Sequence, residues 1–204
     1  MEKQSCITIG LIADTHIPDR VNELHPEVAS TFRNAEVDLI FHAGDICIPL
    51  VLNELEKIAP VHAVRGNRDW AFTNILGWIN QIEVVGIQVA LIHGHGNLQS
   101  YLKTKYLSIV EGYKLEQYIP ELLAIEGKPK VTVFGHTHCP EIIWKDDRLF
   151  INPGSASTIS PDSSISHQSV GILRVDWDGQ IQAEIVKLMG WSIKKRRWVE
   201  ILED

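Results

Sequence analysis

Two apolar runs rich in β-branched residues, Ile7 to Ala13 (ITIGLIA) and Val37 to His42 (VDLIFH), are nearly continuous in hydrophobicity rather than alternating. Such runs fit strands buried on both faces, as in parallel sheets. Between them Leu24, Val28, Thr31 and Phe32 recur at helical spacing over Asn22 to Asn34, with Pro26 tolerable in a first turn. Pro49 to Ile58 (PLVLNELEKI) repeats the helical pattern, and Val61 to Val64 follows as a short strand. The order βαβαβ implies right-handed crossovers and a parallel sheet.

The pattern then changes. Glu83 to Val85 and Ile87 to His93 flank Gly86 as a hairpin, and Leu98 to Val110 and Leu115 to Ile125 read as helices. Val131 to Phe134 is a further buried strand. Glu141 to Lys145 and Arg148 to Asn152 surround the turn pair Asp146-Asp147, and Val170 to Trp177 and Gln180 to Leu188 meet at Asp178-Gly179. These are the last strands expected. Early βαβ units with late antiparallel hairpins predict an α/β chain of two packed sheets with helices outside. The 204 residues show no repeat, low-complexity tract or linker, so one domain over 1–204 is expected.

Composition narrows the function. With 45% hydrophobic and 22% charged residues the chain is neither disordered nor fibrous. Its net charge of -7 argues against holding nucleic acid by bulk charge, leaving nucleotides only as small substrates. No apolar run approaches the ~18 residues that cross a bilayer, and no secretory leader is evident, so no membrane partner and a cytoplasmic location are expected. The three cysteines, Cys6, Cys47 and Cys139, are scattered and fit a reducing compartment.

The residues that end each strand carry the chemistry: Asp14-Thr15-His16, Gly44-Asp45, Gly66-Asn67-Arg68-Asp69, His93-Gly94-His95 and Gly135-His136-Thr137-His138. Loops at the C-terminal edge of an α/β sheet converge where ligands bind. Donors of Asp, His and Asn type suit divalent ions rather than a thiolate-bound structural zinc. Asp14, His16, Asp45, Asn67, His93, His136 and His138 over-supply one ion, whereas two ions sharing a carboxylate would each receive four.

In this order and spacing the motifs resemble the calcineurin-like metallophosphoesterases across nearly the whole chain. The small size and Asn152-Pro153-Gly154-Ser155 are similar to the compact bacterial and archaeal phosphodiesterase branch. The resemblance implies a four-layer α-β-β-α sandwich. It implies Asp14, His16 and His138 on one ion, Asn67, His93 and His136 on the other, and Asp45 bridging. The activity implied is hydrolysis of phosphodiesters, or activated monoesters, by a metal-bridging hydroxide, with manganese the expected ion and Fe, Zn, Ni or Co alternatives. The partner implied is a small phosphate-ester substrate, and a homo-oligomer is left open.

Many members carry histidine where this chain has Arg68, which can clamp phosphate but is a poor proton donor. Asn67 and His95 are expected to orient phosphate, and Asp69 to hold the Asn67 loop or a histidine. Rival readings are a weakly active or non-catalytic protein-binding scaffold of the same fold, like the retromer component, and a small phosphomonoesterase. His25, His42, His62 and His167 are expected to be structural or surface residues, Cys47 and Cys139 not to be ligands, and the run Lys194 to Arg197 to be a solvated face. Trp70, Phe72 and Trp78 either floor a substrate pocket or cap the core.

Overall fold

The computed structural model describes residues 6–72, 74–96, 106–107, 110, 114, 117–118, 122–158 and 167–201. The first sheet is built on β1 (Cys6–Ile12), β2 (Leu39–His42) and β3 (Val61–Ala63), all parallel. The hairpin of β9 (Gln168–Asp176) and β10 (Ile181–Leu188) extends it antiparallel, in the order β10-β9-β1-β2-β3. Asp176 closes that hairpin through Oδ1, which accepts from the amides of Asp178 and Gln180 at 2.9 and 2.8 Å. The second sheet contains β4 (Ile79–Val84), β5 (Ile87–Ile92), β6 (Val131–Val133), β7 (Glu141–Lys145) and β8 (Arg148–Asn152), ordered β4-β5-β6-β8-β7. Its central strands β5, β6 and β8 are parallel.

The alternation of side chains along each strand divides the core in two. Ile9, Leu11 and Phe41 of the first sheet meet Val89, Leu91, Val133 and Ile151 of the second. On the other face of the first sheet, Ile12, Ile40 and Ile172 pack beneath the helices α1 (Glu27–Asn34) and α2 (Leu50–Glu56). Gly10 lies under Phe32, where a Cβ would come within 3.0 Å of the ring, which explains a glycine in a buried strand. The result is the expected α/β sandwich of two mixed sheets. A third cluster, Tyr118, Leu122, Phe134 and Phe150, includes residues from β8 and from the 117–122 region. The helices expected over 98–110 and 115–125 lie largely outside the described residues.

Two differences from the sequence reading have local causes. Helix α1 begins at Glu27 rather than near Asn22, because Pro26 occupies the cap and the imidazole Nδ1 of His25 accepts the Glu27 amide at 3.2 Å. The segment before it is held elsewhere: Trp198 Nε1 donates to Glu23 O at 3.0 Å, and Asn22 N to Arg196 O at 2.9 Å. These partners belong to a ribbon that the sequence reading missed, β11 (Trp191–Lys194) and β12 (Arg197–Glu200). The solvated Lys194–Arg197 run is its turn, with Lys195 and Arg196 at φ of 51° and 62°. Four-residue strands exposed on most positions carry little periodic signal.

Candidate metal centre

Each motif follows a strand and meets the others at one edge. Asp14 and His16 follow β1, Asp45 follows β2, Asn67 follows β3, His93 follows β5, and His136 and His138 follow β6. The loops are tied together by backbone bonds: Asp14 N donates to Gly44 O and His16 N to Asp45 O, both at 3.0 Å, and Gly135 N to His93 O at 3.1 Å. Asp14, His16, Asp45, His136 and His138 all have left-handed backbones, with φ of 53°, 47°, 55°, 71° and 59°. Non-glycine residues adopt this region at a cost, and such strain concentrates at functional sites. Close approach demands glycine at two points. A Cβ on Gly66 would collide with the Asp45 carboxylate, and one on Gly135 would stand 2.8 Å from Asp14 Oδ2.

Two groups of donors result, Asp14 with His16 and His138, and Asp14 with Asp45 and His93. In the first, Nε2 of His16 and Nε2 of His138 face each other at 3.1 Å, and lie 3.6 and 3.3 Å from Asp14 Oδ1. In the second, His93 Nε2 lies 3.4 Å from Asp45 Oδ1 and 3.2 Å from Asn67 Oδ1. Asp45 joins the groups, since its other oxygen lies 3.8 Å from His16 Nε2. The His136 ring stands 5.1 Å from that of His93.

These donors fit a bound cation. Asp14 Oδ1 is buried without a hydrogen-bond partner among the described residues, a costly state for a carboxylate oxygen. His93 Nδ1 donates to Ala43 O at 2.8 Å, so a neutral His93 turns the Nε2 lone pair toward the oxygens of Asp45 and Asn67. Acceptor atoms then converge on the centre, an arrangement that a cation would satisfy. The electrostatics agree. Burial opposes ionisation of Asp14, but the imidazoles of His138, His93 and His16 outweigh it and hold the carboxyl below its usual range. Burial pushes His16 down to about 4 and His136 to about 3, leaving neutral rings at pH 7 that can ligate. Burial raises Asp45, partly offset by His93. At His93 the carboxylates of Asp45 and Asp14 overcome burial and raise its basicity.

Comparison with known proteins decides the family. The model of the calcineurin-like phosphoesterase superfamily domain matches residues 7–178. The chain belongs to this superfamily. A probable metallophosphoesterase of Methanothermobacter thermautotrophicus is 35% identical over 183 residues, 88% of this chain and 91% of its own. A phosphodiesterase of Methanocaldococcus jannaschii is 25% identical over 159 residues, covering 72% of this chain and 82% of that one. Vacuolar Protein Sorting 29 of Cryptosporidium parvum shares the fold, with a TM-score of 0.61 at 21% identity over 90% of this chain and 98% of that chain. The superfamily depends on divalent metals. No helix among the described residues is long and apolar enough to cross a membrane.

Within this calcineurin-like frame, the seven residues expected to bind metal all lie at the one edge. Asp69 sits behind them: its carboxylate accepts Cys47 N at 2.7 Å and Gly66 N at 2.6 Å, clamping two loops. Arg68 reaches the cluster through its backbone, donating N–H to Asp45 Oδ1 at 2.9 Å, while its guanidinium pairs with Asp19 at 2.9 Å. The His95 ring stands 5.4 and 6.0 Å from those of His93 and His136. Burial, then His93 and Arg65, push its pKa down to about 4. Phe72 is core, whereas Trp70 is exposed and Trp78 half-exposed.

The sequence reading missed a supporting set. Ser155 and Ser157 both donate to Asp14 O at 2.8 Å, and Thr158 Oγ1 lies 2.9 Å from His138 Nδ1. Asn152 donates to Gly135 O at 3.0 Å and Thr137 Oγ1 at 2.9 Å. His42 is fully buried with both nitrogens engaged, accepting Gly44 N at 3.2 Å and donating to Thr15 Oγ1 at 3.1 Å, which donates to Asp45 O at 3.4 Å. Asn152-Pro153-Gly154-Ser155 was the one legible signal for this set.

Proposed function

We propose that this chain is a metallophosphoesterase with two divalent ions that hydrolyses phosphodiesters in preference to monoesters. The observation that carries this reading is the Asp45 carboxylate, which faces His16 with one oxygen and His93 with the other. Asp14, His16 and His138 would hold one ion, Asn67, His93 and His136 the other, with Asp45 between them. When bound, such a pair polarises phosphoryl oxygens and activates water for in-line attack. Manganese is the proposed ion, in a single domain that acts in the cytoplasm on a small phosphate ester.

The chain's own residues position the reaction. Asn67 and His95 orient the phosphate beside the ions. Arg68 N–H fixes one Asp45 oxygen, and Asp69 holds the Asn67 loop against the Cys47 loop. Ser155 and Ser157 hold the Asp14 backbone in its strained conformation. The likeness to a phosphodiesterase supports diesters, and the complete donor set supports catalysis over a scaffold role. The test is turnover of nitrophenyl diesters and monoesters by metal-free protein reconstituted with Mn, Fe, Zn, Ni or Co. Metal-dependent release faster from diesters is expected. Absence of turnover with every ion would favour the scaffold reading, and faster release from monoesters would overturn the diester preference.

A further inference from the structure

Arg65 and Trp78 belong to none of the motifs, yet the fold brings them together at the rim of the metal centre. Arg65 N donates to Gly77 O at 3.0 Å, tying the residue before Gly66-Asn67 to the residue before Trp78. The Arg65 guanidinium carbon then stands 3.7 Å from the Trp78 ring centroid, well within cation–π range. The indole also lies 5.0 Å from the His95 ring, and His95 neighbours His93 and His136. Trp78 is therefore one imidazole away from the metal donors, and it is 50% exposed. Arg68, the cation that the motif places nearest the site, is occupied with Asp19 instead.

We propose that Arg65 and Trp78 form a subsite for an aromatic ester arm of the substrate, the ring lying against the indole beside His95 while Arg65 offsets phosphate charge. This rests on the phosphodiesterase reading above and adds a substrate class to it. A half-exposed indole offers a flat apolar face, and stacking on it is worth tenfold or more in affinity, on the order seen for bases on aromatic side chains. Arg65 beneath the indole fixes its plane, so little side-chain freedom is lost when a ring docks. An aryl ring and a nucleobase share this chemistry.

The test uses full-length, metal-loaded protein and three diesters with the same leaving group, p-nitrophenolate, whose retained arm is methyl, phenyl or 5′-thymidyl. Leaving-group electronics are then constant. The wild type is expected to favour the phenyl or thymidyl arm over methyl by about tenfold in kcat/KM, mainly through KM. Trp78→Ala is expected to bring the ratio to within about twofold of one, Trp78→Phe to keep part of it, and Trp144→Ala, an exposed tryptophan on β7, to keep all of it. Gain with both rings marks a general aryl subsite, and gain with thymidyl alone a nucleotide one. A wild-type ratio near one, or a ratio that survives Trp78→Ala, overturns the proposal. Metal-free protein supplies an independent arm, quenching of tryptophan fluorescence by phenylphosphonate. Quenching lost in Trp78→Phe supports the subsite even if no diester is hydrolysed, the outcome that would defeat the phosphodiesterase reading alone. Quenching that is absent, or unchanged in Trp78→Phe, counts against the subsite.

Discussion

The backbone N–H of Arg68 donates to Asp45 Oδ1 at 2.9 Å, while the guanidinium of the same residue turns outward to Asp19. Arg68 thus serves the centre through a group that every residue except proline possesses. The ion pair with Asp19 is half-exposed on both sides and contributes little. Arg68→Ala is expected to keep metal content and to lower kcat/KM for a nitrophenyl diester by less than about threefold, about 0.6 kcal/mol. A loss of a hundredfold would show that the side chain swings in to contact the substrate.

Steric crowding at Gly66 gives a sharper expectation. A Cβ there would strike the Asp45 carboxylate and stand 2.5 Å from Asp45 N, both fixed backbone or buried groups. Gly66→Ala is expected to cost about 2–4 kcal/mol and to reduce metal content. Gly86, at φ 75° in the β4–β5 turn, has nothing within 4 Å of an added Cβ. Gly86→Ala should cost only the left-handed strain, about 1–2 kcal/mol, with metal retained. Thermal melts and elemental analysis of the two variants check the contrast.

The centre was legible because its chemistry is local. A metal donor set needs Asp, His and Asn at strand ends, and each cluster falls within a few residues of a readable strand such as Ile7 to Ala13 or Val131 to Phe134. What supports the donors is not local. Ser155 and Ser157 reach Asp14 across 141 and 143 residues, and serines in a loop announce no such partner. Arg65 and Trp78 meet only because the Gly77 carbonyl accepts the Arg65 amide. The β11–β12 ribbon escaped for a related reason: its one buried anchor, Trp198, is recognisable only beside His25.

That contact yields a pH dependence. His25 is buried 4.4 Å from the Trp198 ring, accepts the Glu27 amide on Nδ1, and has its pKa pushed down to about 4 by burial, which Glu27 only partly opposes. The folded state therefore resists protonation. Its stabilising effect is complete above about pH 6.5 and is lost as pH falls from there toward about 4. Between pH 7 and pH 5 this group alone should remove about 1–2 kcal/mol of unfolding free energy. Urea titrations of His25→Asn at the two pH values are expected to show a correspondingly smaller drop than the wild type. An unchanged drop would mean that His25 titrates normally in the folded chain.

Asp45 offers the most direct test of the centre as a two-ion site. Its two oxygens lie 3.8 Å from His16 and 3.4 Å from His93, so neutralising it should weaken both positions whereas loss of His16 should weaken one. The measurement is divalent metal per chain by elemental analysis after reconstitution and buffer exchange, for wild type, Asp45→Asn and His16→Ala. Two ions in the wild type, about one in His16→Ala and fewer than one in Asp45→Asn is the expected series. A wild type that retains no more than one ion, or an Asp45→Asn protein that keeps two, would contradict it.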